Sequence, residues 1–263
     1  NRSQGWIALK NNYCGLAVGV RYFWQNYPKA LESYSNGTIY VRLMPCYFSE
    51  PFRHRAGEHK THEILVYLYS QNESSQEIAN TMKCLMEPLY MRAPSTWYVY
   101  TGVLDYWASY NPKKYYYYEI NNLAAVMNDT GGYYGDNLFQ IRENVDFYGW
   151  MHFGDVRIVD EDGGTGQMNL QYDFSFGMIA QSLRLFDSAV DYSYKWWLLA
   201  EQGARHVSDI DVLHVHWGDP EHPSSYWIQW CWGGMFWHTP HGQPGLDSPH
   251  RGSSPHLSFQ YNS

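Results

Sequence analysis

Between Gly15 and Leu68 the apolar positions follow a period of two. Leu16, Val18, Val20 and Tyr22 fall on one side, and Ile39, Val41 and Leu43 repeat the alternation after the turn residues Ser35-Asn36-Gly37, which predicts antiparallel sheet. A third strand, Glu63 to Tyr69, is apolar at consecutive positions, the pattern expected where a sheet is covered on both sides or lies at a domain junction. After Gln71 the character changes. Gln76 to Tyr90 reads as a short helix closed by Glu87-Pro88, followed by an irregular aromatic stretch through Tyr118, in which Tyr115 to Tyr118 form a partly buried surface segment. Two amphipathic helices follow. Asp173 to Phe186 carries Phe174, Met178, Leu183 and Phe186, and Tyr194 to Val207 carries Trp197, Ala200, Ala204 and Val207, with Asp187-Ser188 as the break between them. The expected organisation is therefore β in residues 1–75 and helical in residues 76–263, and repeated helix pairs with short links build hairpin arrays and toroids.

Composition narrows the function classes. An apolar share of 44% supports a real core. A net charge of −8 at pH 7 argues against a nucleic-acid binder, because such affinity rests on Lys and Arg neutralising phosphates. No stretch has the length and apolarity of a membrane span, and Asn1-Arg2-Ser3 resembles no signal-peptide start. The missing initiator Met reads as a processed chain or a piece of a longer one. Four sequons, beginning at Asn1, Asn36, Asn72 and Asn128, point to a secreted, extracellular glycoprotein. The even set Cys14, Cys46, Cys84 and Cys231 permits disulfides there, while its spacing matches no zinc pattern. With 25 Tyr and 12 Trp the chain is rich in flat rings, which pack cores and also cover the apolar C–H face of a pyranose.

Several segments are similar, in order, to those of the exo-rhamnogalacturonan lyases. Residues 15–29 (GLAVGVRYFWQNYPK) and Gly57-Glu58-His59-Lys60-Thr61-His62-Glu63 resemble parts of that family's sandwich. Asp146-Phe147-Tyr148-Gly149-Trp150 with Phe153-Gly154-Asp155 resembles the entry to its toroid. Asn169 to Phe174, Ala204 to Asp211, Phe236-Trp237-His238-Thr239-Pro240-His241 and Ser248-Pro249-His250-Arg251 are similar to later segments. The resemblance covers nearly the whole chain. It implies a multi-domain β and α protein, with part of an antiparallel β-sandwich in residues 1–75 followed by the N-terminal part of an (α/α) toroid in residues 76–263. Family members have an acidic residue where this chain has Pro240, a departure at a candidate site.

The activity that the resemblance implies is a β-elimination on a uronic-acid polysaccharide of the rhamnogalacturonan type. It needs a neutralised carboxylate, a base for the C5 proton and an acid for the leaving oxygen. His238 suits the base and Tyr261, whose phenol can serve as acid or base, joins it in proton transfer, while Arg251 with His241 suits the uronate, since a guanidinium forks onto a carboxylate. Lys60 and His62, one residue apart and so on one face of a strand, join Trp237, His250 and Tyr172 as candidate substrate contacts. Asp211, His214, His216, Asp219 and His222 have the ligand types for a divalent ion, but no complete ligand set follows from spacing. No metal site is assigned and no cofactor is expected, with a divalent cation such as calcium left open. Asp155, Asp173 and Asp209 would be the carboxylates of a glycoside hydrolase, although Asp173 also suits a helix cap. The expected partner is a polysaccharide or oligosaccharide, with neither nucleic acid nor membrane. The alternative reading is a non-catalytic secreted glycoprotein that uses a lyase-like scaffold for glycan binding or extracellular assembly.

Overall fold

Alternation in the first third of the chain builds antiparallel ladders. In a computed structural model, which describes residues 2–47, 59–104, 107–126, 137–144, 146–150, 152–154, 157–159, 165–167, 174–206 and 208–209, β1 (Trp6–Lys10) pairs with β2 (Cys14–Val20). The turn between them is held by the Asn11 Oδ1, which accepts from the backbone N–H groups of Tyr13 and Cys14 at 2.7 and 3.0 Å. β5 (Ile64–Ser70) pairs antiparallel with the other edge of β2, giving the order β1-β2-β5. β3 (Ala30–Ser33) and β4 (Ile39–Arg42) form a separate hairpin. Its turn places Gly37 at φ 86°, where a Cβ is unfavourable. The described residues thus combine small antiparallel sheets with six helices.

The chain divides into two compact units. The first comprises Asn1–His54, Lys60–Tyr90 and Tyr148–Phe153. Here α1 (Ser75–Met86) lies on the three-stranded sheet, with Ile78 and Met82 buried against Ala17 and Tyr69 and flanked by Trp6, Ala8, Leu65 and Tyr67. Its start is set by a capping box. The Ser74 Oγ accepts from the Glu77 N–H, and the Glu77 carboxylate accepts from the Ser74 N–H, an arrangement that contributes about 1 kcal/mol. Segment 148–153 docks by Gly149 N–H to Gln25 O and Trp150 N–H to Tyr27 O, with Tyr148 and Phe153 packed on Trp24 and Tyr22.

The second unit comprises Arg55–His59, Met91–Phe147 and Gly154–Ser263. It contains α2 (Ser95–Tyr100), α3 (Tyr116–Ala124), α4 (Leu138–Asn144), the short pair β6 (Arg157–Val159) and β7 (Thr165–Gln167), and the helices α5 (Phe174–Arg184) and α6 (Val190–His206). Helices α5 and α6 make the most extensive packing. Their core gathers Met178, Leu185, Trp196, Leu199 and Ala200 with Leu123 and Val126.

Several details depart from the periodicity reading. Tyr22 follows β2 at φ 54° and so leaves the alternation. β5 is covered on one side only, since Ile64, Val66 and Leu68 are 42, 61 and 75% exposed while Leu65, Tyr67 and Tyr69 face α1. The buried stripe of α6 is Ser193, Trp196, Leu199, Ala200, Gly203 and His206, with Ala204 exposed. The predicted Trp197–Ala204 stripe is therefore rotated by about one residue. Tyr115 to Tyr118 open α3 and are exposed.

Candidate functional site

Three places in the described residues carry chemistry. The first joins two of the segments singled out in the sequence. The His59 N–H donates to the Asp209 backbone oxygen at 2.8 Å, and His59 Nε2 lies 3.2 Å from Asp209 Oδ1. The carboxylate is buried, whereas the imidazole is 46% exposed. A buried carboxylate that fixes an accessible imidazole is the arrangement by which proteins orient a proton-transfer histidine. Asp209 is thereby engaged by His59, and the other two carboxylates of the hydrolase set, Asp155 and Asp173, lie outside the described residues.

The second place is in the first unit, where Lys29 extends past the end of the β3–β4 ladder and donates to the Leu43 backbone oxygen at 3.4 Å. Its ammonium is brought down to about 7, mainly by burial and then by the positive charge of Lys60. Lys60 and His62 are half-buried, but they precede β5 and do not lie on it. The same-face argument for a strand therefore does not apply to them. At the next residue, Glu63 accepts from the buried Arg21 guanidinium at 3.1 and 3.2 Å through both carboxylate oxygens.

The third is an open groove of ≈ 430 Å³, also in the first unit, lined by Trp6, Phe23 and Trp24 together with residues of α1. The Arg2 guanidinium stacks 4.0 Å over the Trp24 ring. Sequence reasoning did not single out the groove, His59 or Lys29. His59 and Lys29 nevertheless lie in segments singled out above, and the adjacent aromatics Phe23-Trp24 were a usable signal for the groove.

A buried ion pair in the second unit serves the fold. Arg184 donates to the Glu119 carboxylate through Nη1 at 2.9 Å and through Nη2, to Gln181 Oε1 at 2.9 Å and to the Ala108 backbone oxygen at 2.7 Å. Burial pushes the Glu119 carboxyl up, but the bonds from Arg184 and the Asn111 N–H outweigh it and hold the carboxyl below its usual range.

His238, Tyr261, Arg251, His241, Trp237, His250 and Tyr172 lie outside the described residues, as do the sequons at Asn1 and Asn128 and the set Asp211, His214, His216, Asp219 and His222. Asn36 and Asn72 are exposed in turns. Cys14, Cys46 and Cys84 are exposed and unbridged. Among the described residues no group of three or more His, Cys, Asp or Glu is gathered for a metal ion, and no helix is long and apolar enough to cross a membrane. Compared with known proteins, the chain matches no family model and no curated protein sequence.

Proposed function

We propose that this chain is a secreted polysaccharide lyase-like protein that performs β-elimination on a uronic-acid polysaccharide, on a scaffold of β-sandwich followed by an α/α toroid. The observation that supports the reading is the His59–Asp209 pair, in which two segments that resemble those of the exo-rhamnogalacturonan lyases meet as an oriented imidazole and its carboxylate. In this reading His238 takes the C5 proton and Tyr261 protonates the departing C4 oxygen. Arg251 and His241 hold the uronate, and Lys60, His62, Trp237, His250 and Tyr172 contact the sugar chain. His59, fixed by Asp209, is a further imidazole for proton transfer. Lys60 supplies local positive charge in a chain of net charge −8 at pH 7, which favours an anionic substrate.

The test is incubation of the full-length protein with rhamnogalacturonan oligomers, followed through the absorbance of the unsaturated uronate. Signal is expected from the wild type. Loss of about 10²–10⁴ in turnover is expected for His238→Ala and for His59→Gln. A wild type without signal rejects the lyase reading.

A second reading, a non-catalytic glycoprotein used for glycan binding or extracellular assembly, is favoured by the exposed turn positions of Asn36 and Asn72. It predicts oligosaccharide binding with no turnover and a mass increase at both asparagines after expression in a secretory host.

A further inference from the structure

The tyrosine run at the start of α3, to which the elimination chemistry assigns no part, stands on the surface of the second unit. Tyr116, Tyr117 and Tyr118 are 68, 60 and 70% exposed. Lys113 and Lys114 precede them, both exposed, and neither makes an ion pair among the described residues. Lys114 Nζ instead lies 4.8 Å over the Tyr115 ring, and Tyr117 and Tyr118 meet edge to face at 5.7 Å. The only acid between residues 107 and 126 is Glu119, which is turned inward onto Arg184. The outward charge of this stretch is therefore positive, in a chain of net charge −8 at pH 7.

The backbone beneath the patch is held in place. The Asn111 N–H donates to Glu119 Oε1 at 3.0 Å, Asn111 Oδ1 accepts from the Lys114 N–H at 3.1 Å, and the Asn111 backbone oxygen accepts from the Tyr115 N–H at 2.9 Å. The buried carboxylate that pairs with Arg184 thus also pins the loop that carries the lysines, so rings and cations project from a base ordered before any ligand arrives.

Charge and surface chemistry select the occupant. Two ammonium groups without counter-ions attract an anionic partner. A bilayer would need an aliphatic face of α3 to bury, and that face is already occupied, with Leu123 in the core beside Val126, Met178 and Leu199. Nucleic acid would need more cations than these two, against the net charge of the chain. What α3 turns outward at this end is phenols, each joining an apolar ring face to a hydroxyl that gives and takes hydrogen bonds. A chain of pyranoses has the matching surface, C–H faces for the rings and hydroxyls for the phenols, and carboxylates along it answer the lysines.

We propose that the surface formed by Lys113, Lys114 and Tyr116–Tyr118 binds an acidic polysaccharide, with uronate carboxylates on the lysines and pyranose faces on the tyrosines. It rests on the uronate substrate class proposed above but uses none of the residues assigned to the elimination, so binding here and turnover succeed or fail separately.

The experiment is affinity electrophoresis of the full-length protein with oligogalacturonate, its carboxyl-reduced counterpart and poly-L-glutamate, alongside sedimentation with phosphatidylcholine–phosphatidylserine vesicles. Oligogalacturonate is expected to bind saturably, about tenfold more tightly than the other two polymers, and less tightly as salt is raised. Lys113→Glu/Lys114→Glu and Tyr116→Ser/Tyr118→Ser are each expected to weaken it about tenfold, whereas Lys113→Arg/Lys114→Arg retains it. Reductive ¹³C-methylation marks the lysines for NMR, and the resonances assigned through Lys113→Arg and Lys114→Arg are expected to shift on binding. Absence of saturable binding, equal affinity for the carboxyl-reduced oligomer or for polyglutamate, tighter binding to vesicles, or unchanged affinity in either weakened double variant would each overturn the proposal. Saturable binding without turnover would uphold this surface and reject the elimination alone.

Discussion

Glu119 and Lys29 are buried ionisable groups with opposite consequences for stability. Glu119, 2% exposed, is matched by Arg184, and removing its charge leaves a buried guanidinium without its counter-ion. Glu119→Gln should cost about 3–5 kcal/mol in chemical denaturation at pH 7. Because the folded carboxyl titrates below its unfolded value, its contribution is complete above the unfolded value and is lost as pH falls through the folded one. Lys29 works the other way. Its folded value of about 7 lies below the unfolded 10.5, so the native state carries the full cost of the buried charge below pH 7 and sheds it as pH rises between these two values. Lys29→Met should therefore stabilise the protein, by on the order of 5 kcal/mol at pH 6, with the gain shrinking to near zero above pH 10.5. Paired denaturation curves at several pH values check both signs. Gly154 is a third case. Its φ is 106°, and an added Cβ would sit 2.3 Å from the Gln202 backbone oxygen on α6, so Gly154→Ala should lower the melting temperature measurably.

The first-unit sheet makes a sharper test at the scale of elements, because adjacent strand residues see different surroundings. Met82 of α1 is fully buried against the inner face, and Met82→Ala should cost about 2–5 kcal/mol. Leu68, on the other face of β5 and 75% exposed, should tolerate Leu68→Thr within about 0.5 kcal/mol. That contrast also marks what local pattern can resolve. The β3–β4 hairpin was legible because alternating Ile39 and Val41 follow an Asn-Gly turn, and the α5–α6 break was legible at Asp187-Ser188. In β5 the run Ile64-Leu65-Val66 is apolar throughout, so which face α1 covers is decided only by tertiary packing. In α6 the pair Trp196-Trp197 offers two candidate anchors about 100° apart on the helix, and contacts with α5 select the first. Short helices such as α2 and α4 rest on long-range partners. One such contact is the Asp187 carboxylate accepting from the Ser95 N–H at 3.0 Å.

At the scale of the whole molecule, the candidate chemistry is distributed over residues far apart in sequence. His59 and Asp209 meet across about 150 positions, and no periodicity or spacing announces such a pair. Lys60 and Lys29 both lie in segments singled out in the sequence, but that they are neighbours became noticeable only in the fold. The groove beside α1 is assembled from three separate stretches. Elimination on a uronate predicts a product that hydrolysis cannot give. The most direct measurement is mass spectrometry of oligosaccharide products formed by the full-length protein in ¹⁸O-labelled water. β-Elimination predicts a new non-reducing end lighter by one water than the hydrolytic fragment, with no isotope incorporated at the cleaved bond. Fragments of full mass carrying one ¹⁸O at the new reducing end, or an intact substrate, would contradict it.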